Sequence, residues 1–472
     1  MLTSSPRRKV PRLMKAKCVL ACLTVFTAFV FGLATAEEGS VQFTKVSFPE
    51  HRVGSLENGV QTFVMRWGSG NLASLELVFP AGSARDPKGR EGLAYFASKL
   101  LSGNLELAKE LETLGATFDA SVTRDGLYIE LTCIAPSLQK ALGLIGGLLN
   151  RPTFSTEDFQ RQKQLQLGEL AYNRANPSWV AQASFYEAYF RDHPYAHPPL
   201  GTQEGVAAIA PEDVRSYYTE GLKAFRGTVV ALVSPLPLSD QEKLLQNTLA
   251  ALQRADEEKP FANPAQAPKA GVFIVPFPEA NQAQIVMGHE GVAAGNPDRF
   301  RVLLMNSILG GNAFSSRLFE KARVQGGLTY SIRSSFESHK NSGLFVVRTF
   351  TRTSEAGQML SLVGSIAGQM KAEPPSNEEL SDAKSSLVLG YPLKFQTASS
   401  VVDRFAGSLF YGLPLNDILD YQDYLNAVTK EDVLQAANAY LFPEELLSVV
   451  VGQLEPLQQA LEQYKPTLLP SK

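Results

Sequence analysis

Two histidines have the one spacing in this sequence that is typical of a metal site. His193 and His197 stand four residues apart, and imidazoles at that spacing on a helix can share a Zn²⁺ ion. Pro194 and Pro198 prevent a regular helix there, so we expect a loop without a metal. The other histidines are isolated in the sequence: His51, His289 and His339. No Ser/His/Asp or Cys/His arrangement for nucleophilic catalysis can be nominated either.

Residues 89–101 carry three polar side chains at positions where a known family has zinc chemistry. The segment resembles the metal-binding helix of the pitrilysin/insulinase family of zinc peptidases, in which Gly-Leu-Ala precedes His-x-x-Glu-His. The Gly-Leu-Ala sequence is present here. Tyr95 stands at the first His and Lys99 at the second, while Ser98 stands at the general-base Glu. The resemblance therefore predicts a helix that has lost its zinc chemistry.

Glu169 is the one position of this zinc site that still matches the family. By spacing, it corresponds to the carboxylate that a later helix supplies as a further ligand. One carboxylate cannot hold zinc, and Lys99 places an ammonium without a lone pair at a ligand position. We therefore expect no metal on this chain, and we predict that Lys99 and Glu169 form an ion pair. The alternative is that both side chains face solvent.

Arg323 and Tyr330 are the positive evidence for a function. They lie seven residues apart, and Tyr330 ends a Gly-Leu-x-Tyr sequence. The resemblance implies that such a pair in the C-terminal half reaches the zinc site of the N-terminal half. There it holds the substrate backbone and stabilises the tetrahedral oxyanion. The alternative is that Arg323 caps a helix end and Tyr330 packs in the fold.

Further segments extend the resemblance over nearly the whole mature chain. They are residues 80–86, 176–177, 193–198, 200–202, 282–289 and 309–319. In the last segment, Gly310 and Gly311 lack the Lys-Ser/Thr ending of a phosphate loop, so we expect a helix end and a turn rather than nucleotide binding.

Length, composition and charge are those of a globular protein of more than one domain. The chain has 472 residues, of which 44% are hydrophobic and 19% charged. A formal net charge of -3 provides no basic surface for nucleic acid and no polybasic membrane patch. Removal of the N-terminal segment described next would leave Cys133 as the single cysteine, so no intrachain disulfide is expected.

Residues 1–36 are typical of a secretory signal peptide. Basic residues precede an apolar run at 18–33, and small residues at 34–36 form a cleavage site. We expect an exported, periplasmic protein with no membrane association after cleavage. The apolar run is shorter than the ~20 residues that span a bilayer. An uncleaved anchor stays open as an alternative, as do lipidation at Cys22 and a translation start at Met14.

The mature sequence repeats one unit at an offset of about 220 residues. In both copies a helix begins with a hydroxyl N-cap followed by acidic residues, at 152–159 and at 374–380. A proline-rich linker at 256–269 separates the predicted domains 41–255 and 270–456. Strands and helices are mixed without strict alternation. We predict an α+β fold of two homologous halves, each a mostly antiparallel sheet covered by helices on one face.

These observations favour an exported non-zinc subunit of a heterodimeric metallopeptidase. The resemblance implies a homologous partner chain that carries the zinc and the intact motif. Arg323 and Tyr330 would then complete the partner's active site around a peptide substrate, which would bind as an added strand at a sheet edge. The alternative is a stand-alone peptide-binding or assembly protein without catalysis. Autonomous hydrolysis is a third possibility, for which the sequence offers no site.

Overall fold

The first sheet is built from six strands of the N-terminal half. They are β1 His51–Ser55, β2 Gln61–Arg66, β3 Leu72–Phe79, β4 Thr117–Val122, β5 Leu127–Ile134 and β6 Val229–Ser234. Their order in the sheet is β1-β2-β6-β3-β5-β4. Only β2 and β6 pair in parallel, and all other neighbours are antiparallel. The strands predicted from alternation at residues 74–80 and 126–134 are therefore confirmed as β3 and β5.

The second sheet repeats this arrangement. Its strands are β7 Gly271–Pro276, β8 Ala283–Glu290, β9 Ile332–Ser338, β10 Gly343–Thr351, β11 Leu447–Gly452 and β12 Thr467–Leu468. The order β12-β7-β11-β8-β10-β9 has the same connectivity as the first sheet for its last five strands. The mostly antiparallel α+β fold of two homologous halves is thus confirmed. The edge strand β12 lies beyond residue 456, the predicted end of the second half.

The computed structural model describes residues 45–68, 70–150, 153–222, 227–250, 252 and 270–470. The predicted signal peptide at 1–36 and the predicted linker at 256–269 lie outside the described residues. Val46–Lys472 forms one unit, to which both sheets belong. Among the described residues, no helix combines the length and the apolar character needed to cross a bilayer.

Eight helices belong to the first half in the described part of the chain. They are α1 Leu93–Ser102, α2 Leu105–Thr113, α3 Leu138–Asn150, α4 Thr156–Arg174, α5 Pro177–Phe190, α6 Gln203–Ala208, α7 Pro211–Ser216 and α8 Leu238–Leu249. Ser155 caps α4, and its hydroxyl accepts the N–H of Asp158 while the Asp158 carboxylate accepts the N–H of Ser155. The predicted hydroxyl N-cap is confirmed.

The helices of the second half have similar local signals. They are α9 Arg299–Asn306, α10 Arg317–Phe319, α11 Ala356–Ala372, α12 Asn377–Leu389, α13 Ala398–Phe410, α14 Asn416–Leu419, α15 Tyr421–Ala427, α16 Lys430–Tyr440 and α17 Leu454–Ala460. Ser376 caps α12 through the same reciprocal bonds, here with Glu379. Helices α7, α9 and α10 continue as π-helical turns.

Each half places one helix on the sheet of the other half. Helix α13 packs on β3 and β6 of the first sheet, where Phe405 stacks on Phe63 with ring centroids 4.0 Å apart. Helix α5 packs on β8 and β11 of the second sheet, and Phe185 is fully buried there. The prediction that helices cover one face of each sheet was therefore incomplete. A helix from the other half covers the second face, because an exposed apolar sheet face would be costly.

Candidate functional site

Helix α1 begins at a glycine that packing requires. Gly92 has φ of 105°, a left-handed conformation that glycine adopts without strain. A Cβ at Gly92 would lie 2.9 Å from Cα of Gly201, so no other residue fits there. The carboxylate of Asp86 accepts the N–H groups of Gly92 at 2.7 Å and Ala94 at 2.8 Å, which satisfies the free donors of the helix start. The Gly-Leu-Ala sequence therefore has a structural role that does not depend on zinc.

Tyr95 and Glu169 bind each other across the helices α1 and α4. The Tyr95 hydroxyl donates to Oε2 of Glu169 at 2.9 Å. Burial and the neighbouring Glu169 carboxylate raise the pKa of Tyr95 above its usual range, so the phenol stays protonated. Ser98 is fully buried, and its hydroxyl donates to the carbonyl oxygen of Tyr95 at 2.8 Å. The replaced ligand position Tyr95 and the replaced general-base position Ser98 thus both have internal hydrogen bonds.

Lys99 does not pair with Glu169, which corrects the predicted ion pair. Its Nζ donates to the carbonyl oxygen of Ala120 at 3.3 Å and lies 4.0 Å from Oδ1 of Asp119. Both acceptors belong to β4, the edge strand that packs against α1. Nζ also lies 5.6 Å from the centroid of the Tyr95 ring. The phenol, rather than the ammonium, occupies the space beside the Glu169 carboxylate.

These side chains do not fit a zinc ion. A protonated phenol, a buried hydroxyl and an ammonium offer none of the ligands that zinc prefers. Among the described residues, no three His, Cys, Asp or Glu side chains are grouped to hold a metal. His193 and His197 flank a short 3₁₀ turn at Pro194–Ala196, so the predicted loop is confirmed. Nδ1 of His193 accepts the N–H of Tyr195 at 3.1 Å, as a capping side chain does.

The substitution Tyr95→Phe is expected to lower the free energy of unfolding by about 1 kcal/mol, because Glu169 loses its hydrogen-bond donor. Thermal and urea unfolding would measure the change. Tyr172→Phe is the matched control, since Tyr172 lies on the same helix as Glu169, is 78% exposed and has no side-chain hydrogen bond among the described residues. Equal stabilities of the two variants would contradict the assigned pairing.

Arg323 and Tyr330 form a second, separate pair. Arg323 lies in the π-helical turn Glu320–Gln325, and Tyr330 lies just before β9. The guanidinium carbon of Arg323 is 4.1 Å from the centroid of the Tyr330 ring and 5.0 Å from that of Phe319. Tyr330 is 71% exposed, and the guanidinium of Arg323 makes no hydrogen bond or ion pair within the described residues. The guanidinium therefore caps no helix end among those residues, and Tyr330 lies at the surface against the Arg323 side chain.

These two groups of residues do not contact each other within the described part of the chain. Tyr95, Ser98, Lys99 and Glu169 lie together on α1 and α4, as the motif predicted. No hydrogen bond, ion pair or ring contact among the described residues joins them to the pair in the second half. Sequence reasoning missed Asp119 as the counter-ion of Lys99, because their contact depends on how β4 packs against α1.

Comparison with known proteins tests the suspected relationship. Residues 68–203 match the family model described as "Insulinase (Peptidase family M16)", and residues 208–387 match the model described as "Peptidase M16 inactive domain". Together the two matches cover more than half of the chain. This chain belongs to the insulinase family, peptidase family M16. Within that family it is a homologue without the catalytic motif, since Tyr95, Ser98 and Lys99 replace His, Glu and His.

The matches to relatives from the M16 family cover most of the chain. The "Non-peptidase homolog YmxG" of Helicobacter pylori is 28% identical over 73% of this chain and 81% of that protein. The crystal structure titled "peptidase M16 inactive domain" from Pseudomonas fluorescens has a TM-score of 0.79 at 26% identity, and the match covers 85% of this chain and 98% of that chain. The "Mitochondrial-processing peptidase subunit beta" of Blastocladiella emersonii is 21% identical over 90% of this chain and 94% of that protein.

Proposed function

We propose that this M16-family chain is the exported, non-zinc subunit of a heterodimeric peptidase. It would bind a peptide substrate and complete an active site whose zinc and general base belong to a homologous partner chain. The signal-like N-terminus at 1–36 supports export to the periplasm. A relative that is named as a subunit, the mitochondrial-processing peptidase subunit beta, supports a two-chain arrangement.

The stacked Arg323 and Tyr330 carry this proposal. A guanidinium and a phenol are strong hydrogen-bond donors, and neither has an acceptor among the described residues of its own chain. Stacking holds the two groups against each other and leaves their N–H and O–H groups available as hydrogen-bond donors. Donors that are positioned before the reaction stabilise an oxyanion at little further cost. The pair is therefore suited to bind the carbonyl of a peptide that lies on another chain.

The sheet edges offer a way to hold that peptide. Strand β4 is an edge of the first sheet and β9 is the corresponding edge of the second. An extended peptide can add to such an edge through main-chain hydrogen bonds. Tyr330 lies two residues before β9, so a peptide on that edge would pass near the pair. Zinc on the partner would supply Lewis-acid chemistry, while Arg323 and Tyr330 orient the scissile carbonyl.

Co-expression with an M16 chain that has an intact His-x-x-Glu-His motif tests the proposal. We expect chelator-sensitive hydrolysis of peptides by the purified pair and no hydrolysis by either chain alone. Metal analysis should give about one zinc per pair and far less than one per copy of this chain alone. Full activity of the zinc-bearing chain alone would overturn the proposal.

A second candidate function is a peptide-binding or assembly protein without catalysis. The relative named as a non-peptidase homologue favours this alternative. It predicts that peptides bind to this chain alone and that no zinc-bearing partner changes their fate. Peptide binding with unchanged substrate after co-expression would select this alternative over the first.

A further inference from the structure

Residues of both halves line a cavity of ≈ 1280 Å³, and its wall reaches Ser331, the residue after Tyr330. Strands β3 and β5 of the first sheet contribute Glu76, Tyr128 and Glu130 to its wall. Helix α13 of the second half contributes Asp403 and Arg404. Acidic side chains from both halves therefore line this cavity.

Glu76 is an acidic residue of this cavity with an unsatisfied carboxyl oxygen. It is 6% exposed, and its Oε2 makes no hydrogen bond within the described residues. A buried carboxyl oxygen without a hydrogen bond is costly, and most such groups in folded proteins are satisfied. Glu76 faces α13 rather than the helices of its own half, because its neighbour in the same direction, Val78, belongs to the core that α13 completes.

The surroundings of Glu76 are mainly acidic. On one side it lies opposite Glu130 of β5, and on the other side it lies opposite Ala231 of β6. Asp403 approaches from α13. Burial, Asp403 and Glu130 together raise the pKa of Glu76 to about 8. The hydroxyl of Ser399 donates to Glu130, so that carboxylate is partly satisfied while Glu76 is not.

The cations of the cavity do not neutralise Glu76. The guanidinium groups that line the cavity are Arg299, Arg333, Arg348 and Arg404. Two of them bind carboxylates of their own half, Arg299 with Asp417 and Arg348 with Glu337. Burial raises the pKa of Asp403, and the nearby charge of Arg404 offsets only part of that rise. No ion pair reaches Glu76 among the described residues, so its end of the cavity stays acidic.

We propose that the cavity binds a small organic cation through a primary ammonium group placed between Glu76, Glu130 and Asp403. An ammonium has three N–H donors and can satisfy more than one carboxylate at once. The Tyr128 ring lines the same wall, and an aromatic face stabilises an adjacent cation. A metal ion fits less well, because these three side chains are not grouped closely enough to ligate one ion. A free polyamine and the side chain of a free lysine share the required chemistry.

Calorimetric titration of the full chain with spermidine and, in a separate arm, with N-acetyl-lysine amide tests this site. We expect saturable one-to-one binding of at least one of the two amines. The Glu76→Gln variant keeps the shape of the side chain and should weaken binding about tenfold or more, because a charge-assisted hydrogen bond is lost. Because the pKa of Glu76 is about 8, its carboxyl group is protonated near pH 7 and must lose that proton to bind an ammonium. Binding should therefore release a proton, which titration in two buffers with different ionisation enthalpies detects.

Matched variants separate the site from general charge effects. Glu112→Gln removes an exposed carboxylate of α2 and should leave the affinity unchanged. If Glu76→Gln fails to fold, Asp403→Asn replaces it and should also weaken binding. The proposal fails if the wild-type chain binds neither amine, if Glu76→Gln binds as tightly as wild type, or if Ca²⁺ displaces the amine at equal concentration. In the first case Glu76 would simply stay protonated.

Discussion

Replacement of Asp125 by alanine is expected to lower the free energy of unfolding by about 3–5 kcal/mol, the range for removing one partner of a buried charged network. Asp125 is 1% exposed and lies in the turn between β4 and β5. Its carboxylate accepts a hydrogen bond from the hydroxyl of Tyr195. It also accepts hydrogen bonds of 3.2 Å from the hydroxyl of Tyr411 and from the N–H of Lys340. Nδ1 of His339 lies 3.7 Å away. Three of these four partners belong to the second half, so Asp125 joins the halves.

The pH dependence of this contribution follows from its pKa. Burial acts to raise the pKa of Asp125, but the side chains of His339 and Tyr195 outweigh it and hold that pKa below its usual value. A depressed folded-state pKa means that the stabilisation is present above the unfolded value of about 3.9 and is lost as the pH falls below it. The difference between wild type and the Asp125→Ala variant should therefore shrink below about pH 4.

Urea unfolding at pH 7 and at several acidic values would measure both effects. Asp382→Ala is the matched control, because Asp382 is an exposed carboxylate on α12 without a side-chain partner among the described residues. We expect this control to stay within about 0.5 kcal/mol of wild type. A loss of less than about 1 kcal/mol for Asp125→Ala would contradict its role between the halves.

In the co-expressed peptidase pair, Arg323→Ala is expected to lower kcat about a hundredfold to a thousandfold, the usual effect of losing one donor to an oxyanion. The stability of this chain should barely change, because the Arg323 guanidinium makes no hydrogen bond within the described residues. Steady-state kinetics with a fluorogenic peptide would measure the loss. Tyr330→Phe keeps the stacked ring and removes only the hydroxyl, so it reports the donor alone.

Arg66→Ala provides the control for a lost surface charge, since Arg66 is exposed at the end of β2. It should leave kcat and KM unchanged. If Arg323→Ala and Arg66→Ala gave the same kinetics, the pair would have no part in hydrolysis. A rise in KM with unchanged kcat would instead assign Arg323 to substrate binding alone.

The local structural features of this protein could be predicted directly from its sequence. Hydroxyl N-caps such as Ser155 and Ser376 depend on neighbours within one helical turn, and strands such as β3 and β5 depend on simple alternation. The residue types at Tyr95 and Lys99 are enough to show that the zinc ligands are lost. The repeat also predicted two homologous halves, and the two sheets have similar strand orders.

The pairing of side chains could not be read in this way. Lys99 and Tyr95 are one turn apart on α1, and both can reach towards α4. Because β4 lies beside α1, the Lys99 ammonium contacts a carbonyl oxygen and a carboxylate of β4. Glu169 instead binds the Tyr95 hydroxyl. That choice depends on contacts between elements distant in sequence, which periodicity and caps do not encode.

The arrangement of the halves is the second feature that arises only in the folded chain. In the sequence, nothing distinguishes helices α5 and α13 from other amphipathic or apolar segments. In the structure, each of them covers the sheet of the opposite half. This exchange buries Glu76 and Asp125 at the interface between the halves. Residue types and spacing revealed which family this chain belongs to and which ligands it has lost. Long-range packing decided which charged groups became buried together, because burial and electrostatic environment are properties of the whole fold.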